Sequence, residues 1–231
     1  MTGSDEKLPR AWFTPCGHED FWAAPSTYGL IPFDGLPALD SNSQVGEFSW
    51  LPERPSGDCP LQFDQFEGDV GETLGRLRKD SAAMGVQLPE SFLAFMSDPD
   101  VHTRVPTNTA CYLDLSNRLI EIDGKSDAKL LRFMNDQQCV LLWYLYLQVG
   151  HPVSVVFADP EWHDEAPGDT LDDIITPTNL TVCAESFEEF IHRFWIENSI
   201  WYALYEKREL SETQETYRRA AAGWTPQDQA T

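Results

Sequence analysis

Two apolar segments that lie close together in the chain place the strongest constraint on its fold. Residues 139–147 (CVLLWYLYL) are continuously hydrophobic, and residues 152–158 (PVSVVFA) follow after a short polar interval that contains Gly150. Such runs are typical of buried strands, although their periodicity is also compatible with a buried helix. Both are far shorter than the ~20 residues that a membrane-spanning helix needs. We therefore expect a central, buried β-hairpin.

Helical patterns occur on both sides of this hairpin. Apolar residues at helical spacing predict a helix over residues 70–84, capped by Asp69 and stopped by Gly85. A second helix should follow at once, with a proline in its first turn and three apolar residues on one face: Pro89, Phe92, Phe95 and Met96. A wide apolar stripe predicts a third helix over residues 187–208, which opens on a Ser-x-x-Glu capping box.

Further strands and the chain ends complete the expected organisation. Residues 109–115 and 119–122 have strand composition, and Asn117 between them would allow a second hairpin. The chain is thus predicted to be α+β, with a mainly antiparallel central sheet and helices packed on one side, over residues 69–208. Residues 209–231 are polar and should form a tail that contains a short helix.

Residues 1–68 form a distinct N-terminal extension. Its first 60 residues hold 8 of the 16 prolines, a density that defeats long helices and central strands. The same stretch contains seven Trp and Phe residues, which would be unusual in a solvated tail. We expect an irregular, aromatic-rich segment that wraps onto the core; the alternative is a loosely ordered arm.

Charge and cysteine usage limit the classes of function. With 38 acidic and 16 basic residues among 231, the formal net charge is −22. This charge repels phosphate backbones and anionic lipids, so nucleic-acid binding and membrane docking are not expected. The five cysteines are widely spread and form no CxxC pair. Since residues 1–10 also show no secretory signal, we expect a reduced, cytoplasmic protein.

Sequence motifs for catalysis or cofactor binding are missing. No phosphate-binding glycine loop, nucleophile elbow, zinc-protease or EF-hand pattern occurs, and no cofactor is expected. Cys16, His18, Glu19 and Asp20 would supply half a metal site or a nucleophile with its base, but no second Cys/His pair completes it. A loop with a buried cysteine is the simpler interpretation, so no metal is expected. His163 beside two carboxylates is a further candidate acid–base group.

The acidic segment 159–173 (DPEWHDEAPGDTLDD) is the most informative candidate site. It contains seven carboxylates, one tryptophan and no Lys or Arg: Asp159, Glu161, Trp162, Asp164, Glu165, Asp169, Asp172 and Asp173. An anionic patch steers a basic partner, and a tryptophan supplies the aromatic anchor that interfaces favour. A solvated loop is the alternative interpretation, and calcium binding a third, although the ligand spacing fits calcium poorly.

Three segments resemble the SUKH superfamily, which includes fungal cell-wall-synthesis regulators and many bacterial immunity proteins. The segment GVQLPESFLAFM (85–96) after an amphipathic helix is similar to the family's "helix, G-x-x-LP, helix" opening. The strands within 143–157 look like its sheet, and AESFEEFI (184–191) looks like its C-terminal "S-F-x-x-F" helix. The resemblance spans roughly residues 69–206 and implies an α+β binding protein without enzymatic activity or catalytic residues.

Charge and resemblance together predict a function by binding. The expectation is an immunity-type protein that neutralises a basic toxin, a cognate nuclease for example, because nucleases hold phosphate with basic surfaces. Two alternatives remain. One is a regulatory interaction scaffold that docks through the aromatic extension, and the other is an enzyme that uses His163 with the neighbouring carboxylates. The oligomeric state is not predicted.

Overall fold

The computed structural model describes residues 8–14, 28–39, 47–64, 66, 68–158 and 180–221. Its strands are β1 (Ala11–Thr14), β2 (Gly29–Pro32), β3 (Tyr112–Leu113), β4 (Ile120–Ile122), β5 (Lys125–Asn135), β6 (Leu142–Gln148), β7 (Ser154–Ala158) and β8 (Leu180–Ala184). Its α-helices are α1 (Val70–Ala83), α2 (Glu90–Ser97), α3 (Pro99–His102), α4 (Phe187–Tyr205) and α5 (Glu212–Ala221).

The α1–α2 pair forms where the sequence predicts it. The Asp69 side chain accepts the backbone N–H of Glu72 at 2.9 Å, which satisfies one of the free donors at the start of α1. The chain leaves α1 through Gly85, whose φ of +86° favours a residue without a Cβ. In α2, Phe92, Phe95 and Met96 share one buried face. The predicted cap, stop and apolar face are therefore confirmed.

The main sheet is antiparallel and has the strand order β3-β5-β6-β7-β8, with β4 also paired to β5. The predicted central hairpin is confirmed: β6 pairs with β7 from Leu142–Ala158 at one end to Tyr146–Ser154 at the other. The structure is α+β, as expected.

The second predicted hairpin, with its turn at Asn117, is wrong. β3 and β4 do not pair with each other; both pair with β5, as successive parts of one interrupted strand. Between them, Asp114 N–H still donates to the Phe133 carbonyl on β5. The reversal comes later, between β4 and β5, at Asp123 and Gly124. An Asp-Gly pair suits a two-residue hairpin turn, and Gly124 takes a φ of +76°.

Helices cover one face of the sheet. The largest apolar cluster joins α1, α2 and α4 to residues of β5, β6 and β7, among them Phe133, Trp143 and Val155. Side chains of the opposite face, such as Tyr144 and Val156, form a second buried cluster. Burial on both faces explains why the β6 sequence is continuously apolar rather than alternating.

Helix α4 begins as predicted and ends earlier than predicted. Ser186 Oγ accepts the backbone N–H of Glu189 at 3.1 Å, while the Glu189 carboxylate accepts the N–H of Glu185 rather than that of Ser186. The predicted end at residue 208 is wrong, because Lys207 has a φ of +58° and the helix ends at Tyr205. The short helix predicted in the C-terminal segment is α5.

The described part of the N-terminal extension packs into the same core as the helices. Trp12, Ile31 and Phe48 are at most 2% exposed and belong to the largest apolar cluster. β1 and β2 pair as a small antiparallel ladder. Just before β1, Arg10 bridges to Val182 of β8 in parallel, and Val182 N–H donates to the Pro9 carbonyl at 2.9 Å. The extension thus adds backbone pairing as well as apolar packing.

Candidate functional site

The acidic segment is attached to the fold at neighbouring points of the sheet. All eight residues predicted to bind a partner lie outside the described residues, and so does His163, the candidate acid–base group. β7 ends at Ala158 and β8 begins at Leu180, and these two residues are direct partners in the antiparallel ladder. The 21 residues that join them carry seven carboxylates and no Lys or Arg. Strand register therefore fixes the two neighbouring points at which the acidic segment joins the sheet.

Ala158 and Leu180 belong to a row of partners that crosses the whole sheet at one end. In this row Tyr112 pairs with Asn135, Asn135 with Leu142, Leu142 with Ala158, and Ala158 with Leu180. With strands ~4.8 Å apart, the row spans about 19 Å. These five residues define what we call the attachment end of the sheet.

A buried polar group, the Tyr28 cluster, lies next to the attachment end. It consists of Tyr28, Thr109, Cys111 and Asp136, the last two adjoining Tyr112 and Asn135 in the chain. The Tyr28 hydroxyl donates to Asp136 Oδ2 at 2.7 Å and lies 3.0 Å from Thr109 Oγ1. Cys111 Sγ is 3.5 Å from the same hydroxyl and 3.1 Å from Thr109 Oγ1.

Burial raises the pKa values of two members of this cluster, the Cys111 thiol and the Tyr28 hydroxyl. It raises the pKa of the Cys111 thiol to about 11. Burial, with Cys111 and Asp136 nearby, also raises the pKa of Tyr28 well above its ordinary value. Because the thiolate is the nucleophilic form of cysteine, Cys111 is unreactive at neutral pH. The cluster can donate and accept hydrogen bonds, and its groups are not activated for covalent catalysis.

Hydrogen bonds from backbone N–H groups beside the cluster hold two tight turns. Ala110, between Thr109 and Cys111, has a φ of +52°, and Cys139, in the turn after Asp136, has a φ of +55°. Such left-handed conformations are uncommon for residues other than glycine and persist where surrounding contacts enforce them. Thr107 Oγ1 accepts the Cys111 N–H at 2.8 Å, and the Asp136 carbonyl accepts the Cys139 N–H at 2.9 Å. These bonds fix the loops beside the attachment end.

Polar contacts also occur at this end among residues at the start of β3 and the end of β5. Asp114 accepts from Asn135 Nδ2 at 2.5 Å and pairs with Arg132 Nη2 at 3.1 Å. Asn135 Nδ2 also reaches the Tyr112 hydroxyl at 3.4 Å, and that hydroxyl lies 3.6 Å from Cys139 Sγ. The β3–β5 side of the attachment end is therefore bordered by positioned polar groups.

Sequence reasoning missed a second buried polar group, the Glu197 network. Its members are Trp12, Glu189, Arg193, Glu197 and Tyr217. Glu197 is fully buried and accepts the Trp12 indole N–H at 2.8 Å and the Tyr217 hydroxyl at 2.7 Å. Arg193 Nη1 donates to the Tyr217 hydroxyl at 3.1 Å, and Arg193 Nη2 pairs with Glu189 at 3.5 Å. One carboxylate thus joins β1, α4 and α5.

Desolvation sets the proton affinity of Glu197. Burial raises the pKa of this carboxyl above its ordinary value, and the hydrogen bonds from Tyr217 and Trp12 and the charge of Arg193 only partly offset the rise. The one available sequence signal was the i, i+4 spacing of Arg193 and Glu197, which also describes an ordinary solvent-facing ion pair. The network therefore could not be recognised as buried from the helix pattern alone.

Other features of the described residues carry little chemistry. A polar cleft of about 310 Å³ is lined by Glu53, Arg54, Asp100, Thr103 and Arg104. Its two arginines and Glu53 are already engaged: Arg54 Nε donates to the Thr103 carbonyl at 2.9 Å, and Arg104 pairs with Glu53 at 3.6 Å. No set of three or more His, Cys, Asp or Glu side chains within the described part of the chain is arranged to hold a metal.

Other predicted groups and the comparisons add no functional assignment. Cys16, His18, Glu19 and Asp20 lie outside the residues that the structure describes. Every helix within the described ranges is too short or too polar to cross a bilayer. Neither a family model, a curated protein nor a solved structure matches this chain.

Proposed function

We propose that this chain is a non-enzymatic binding protein of the SUKH type, which neutralises a basic protein, such as a nuclease toxin, by direct contact. The observation that carries the proposal is the pairing of Ala158 with Leu180, which attaches a segment of seven carboxylates to one end of the sheet. Hydrogen bonds of the Tyr28 cluster hold the neighbouring loops. A concentrated charge on a fixed support is what electrostatic steering of a partner requires.

The motifs that resemble the SUKH superfamily are packing determinants in this fold. Phe187, from the "S-F-x-x-F" segment, makes edge-to-face contacts with Phe92 and Phe95 of the "LP" helix at centroid distances of 5.1 and 5.5 Å. Phe133 of β5 contacts Phe187 at 5.4 Å, and Phe190 at the same distance. The motifs thus meet across one aromatic core, which supports a shared scaffold.

Electrostatics favour a basic protein as the partner. The net charge of −22 opposes binding to nucleic acid and matches the positive surface with which a nuclease holds phosphate. Several basic side chains of the described residues are also paired internally, such as Arg78 with Glu90 and Arg208 with Asp58. Each such pair neutralises one cation and one carboxylate, so the surplus of carboxylates remains.

Charge reversal within the acidic segment tests this proposal. A partner captured on the immobilised protein is purified, and its association rate is measured against salt concentration for the wild type and for Asp164→Lys/Glu165→Lys. We expect the double variant to associate at least about tenfold more slowly and with a weaker salt dependence. A captured nuclease should also lose activity when one equivalent of the wild type is added.

A matched control reverses the charge of two acidic residues outside the acidic segment. Asp80 on α1 and Asp123 in the β4–β5 turn are exposed, and Asp123 lies at the opposite end of the sheet from the attachment end. Asp80→Lys/Asp123→Lys changes the net charge equally and should slow association much less. Equal effects of the two double variants would show that overall charge, and not the acidic segment, attracts the partner.

The alternatives receive less support. A scaffold that docks through its aromatic extension needs exposed aromatic side chains, but Trp12 and Phe48 are buried in the core. The enzyme hypothesis concerns His163, which lies outside the described residues, and stays a prediction that His163→Ala would test.

A further inference from the structure

We propose that the last turn of α4 presents an aromatic surface that binds a cationic side chain, preferably an arginine, of the basic partner. The surface is the Trp201–Tyr205 pair. This inference rests on the proposed function, since it names a second contact for the same partner. Tyr205 is 72% exposed, far more than Val149 at 45% or Val140 at 36%, the other large apolar residues exposed in the described part of the chain.

The pair is held in one geometry by its neighbours. The rings of Trp201 and Tyr205 are stacked, with a centroid distance of 4.9 Å and an interplanar angle of 12°. Trp201 also makes an edge-to-face contact with Tyr202 at 5.1 Å. The Tyr202 hydroxyl donates to the Thr107 carbonyl at 3.1 Å and accepts the Cys59 N–H at 3.0 Å. The exposed ring of Tyr205 is therefore pre-positioned, which lowers the entropic cost of binding.

The local field favours a positive ligand. Helix α4 has 19 residues, and the negative end of its dipole lies at this turn, which contains no basic residue. Glu206 and Glu209 are exposed next to the pair. Arg208 is already engaged, because its guanidinium contacts Asp58 at 2.7 Å and Glu206 at 2.8 Å. An aromatic face beside a helix C-terminus and the exposed carboxylate of Glu209 is a site for cation–π binding.

Chemistry distinguishes arginine from other occupants. A planar guanidinium stacks on an aromatic face and is weakly hydrated, so it loses little solvation on binding. An apolar partner group would gain little, because charged residues 206–209 follow the pair directly. The negative charge of the whole chain opposes the phosphates of a nucleotide or lipid. Lys207, which is exposed just after this turn, is the competing cation in the chain itself.

Substitutions at Tyr205 test the proposal with a nine-residue peptide of alternating arginine and glycine. Affinity is measured by calorimetry at low ionic strength, and the NMR shift of the Trp201 indole N–H reports the location of binding. Tyr205→Phe keeps the ring face and should bind nearly as well as the wild type. Tyr205→Leu keeps an apolar group without the ring and should bind about two- to fivefold more weakly.

Matched controls separate this surface from general attraction. Val149→Ala alters an exposed apolar residue in the β6–β7 turn and should leave affinity unchanged, while Lys207→Ala should increase it by removing the competing cation. Equal affinity of Tyr205→Leu and the wild type, or an unshifted Trp201 resonance, would overturn the inference. If Asp164→Lys/Glu165→Lys still weakened binding of the protein partner in that case, the proposed function would stand. A wild type that binds no cationic peptide would also overturn this inference, while the charge-reversal experiment with the protein partner would still decide the proposed function.

Discussion

The Glu197 network and the Tyr28 cluster show two ways in which one chain buries polar groups. Both connect the N-terminal extension to the rest of the fold, through Trp12 in the network and Tyr28 in the cluster. The network contains an ion pair, Arg193 with Glu189 at 3.5 Å, and the fully buried carboxyl group of Glu197. The cluster surrounds a single carboxyl group with hydroxyls and a thiol. Burying the network therefore costs more desolvation free energy than burying the cluster. Removal of one of its members should destabilise the fold more strongly.

Position explains the difference in composition. The network lies on α4, between β1 and α5, where one carboxylate can accept donors from both ends of the described chain. The cluster lies beside the attachment end, where its one carboxyl group, that of Asp136, accepts from the Tyr28 hydroxyl and from the Gln138 N–H. The network thus joins β1 and α5 to one helix, and the cluster joins Tyr28 to the loop after β5.

Removing the central carboxylate should have the largest effect. Glu197→Ala removes the acceptor of the Tyr217 hydroxyl and the Trp12 indole N–H and the buried carboxylate whose charge interacts with Arg193, and we expect the free energy of unfolding to fall by about 3–5 kcal/mol. Glu197→Gln retains one acceptor oxygen and should cost roughly half as much. Urea denaturation measures both, with the exposed Glu209→Ala as control. A loss below ~1 kcal/mol for Glu197→Ala would show that the network contributes little to stability.

Removing the Tyr28 hydroxyl should have a smaller effect. Tyr28→Phe deprives the buried Asp136 of its 2.7 Å donor, and we expect a loss of about 1–3 kcal/mol in the same assay. Tyr112→Phe is the matched control at the attachment end, because the Tyr112 hydroxyl makes only contacts of 3.4 and 3.6 Å. A greater loss for Tyr112→Phe than for Tyr28→Phe would contradict the assigned role of the cluster.

Ionisation of Glu197 should add a gradual dependence on pH. The pKa of this carboxyl is higher in the folded chain than its ordinary value near 4.5, so the folded state binds the proton more tightly. The resulting stabilisation is complete below pH 4.5 and is lost as the pH rises toward the raised pKa. The stability of the wild type relative to Glu197→Gln should therefore fall with rising pH, by at most ~1.4 kcal/mol per unit.

Measuring the free energy of unfolding of the wild type and of Glu197→Gln across pH 4–8 isolates the contribution of this carboxyl group, because Glu189 and Arg193 are present in both proteins. A wild type that gained stability over Glu197→Gln with rising pH would show that Arg193 and the hydrogen bonds outweigh burial.

Periodicity in the sequence was sufficient to predict the apolar parts of the fold. The α1, α2 and α4 helices and the central hairpin follow from spacing, because their stripes face one core. β5 was not predicted, since Lys125, Lys129 and Arg132 interrupt its apolar pattern. In the structure Lys129 pairs with Glu121 and Arg132 with Asp114, so their charges lie along the partner strand while Leu130 and Phe133 stay buried.

Composition alone identified the acidic segment as a candidate site. Its place of attachment depends on strand register, which pairs residues 22 positions apart, and no local pattern encodes that distance. The Tyr28 cluster was missed for the same reason, because Tyr28 and Asp136 are 108 residues apart. Trp201 and Tyr205 fit the spacing of the apolar stripe that predicts α4, and only the structure shows that Tyr205 faces solvent.

Backbone pairing before β1 has a consequence for how this protein can meet other chains. Val182 of β8 already gives its N–H to Pro9, so the outer side of that strand is occupied by the protein's own first described residues. On the other side of the sheet, Leu113 of β3 is bridged to Phe63 in the same protective manner. A partner that seeks to extend this sheet by strand addition finds these positions taken, which also guards against edge-to-edge aggregation. At these two positions, recognition must instead proceed through side chains.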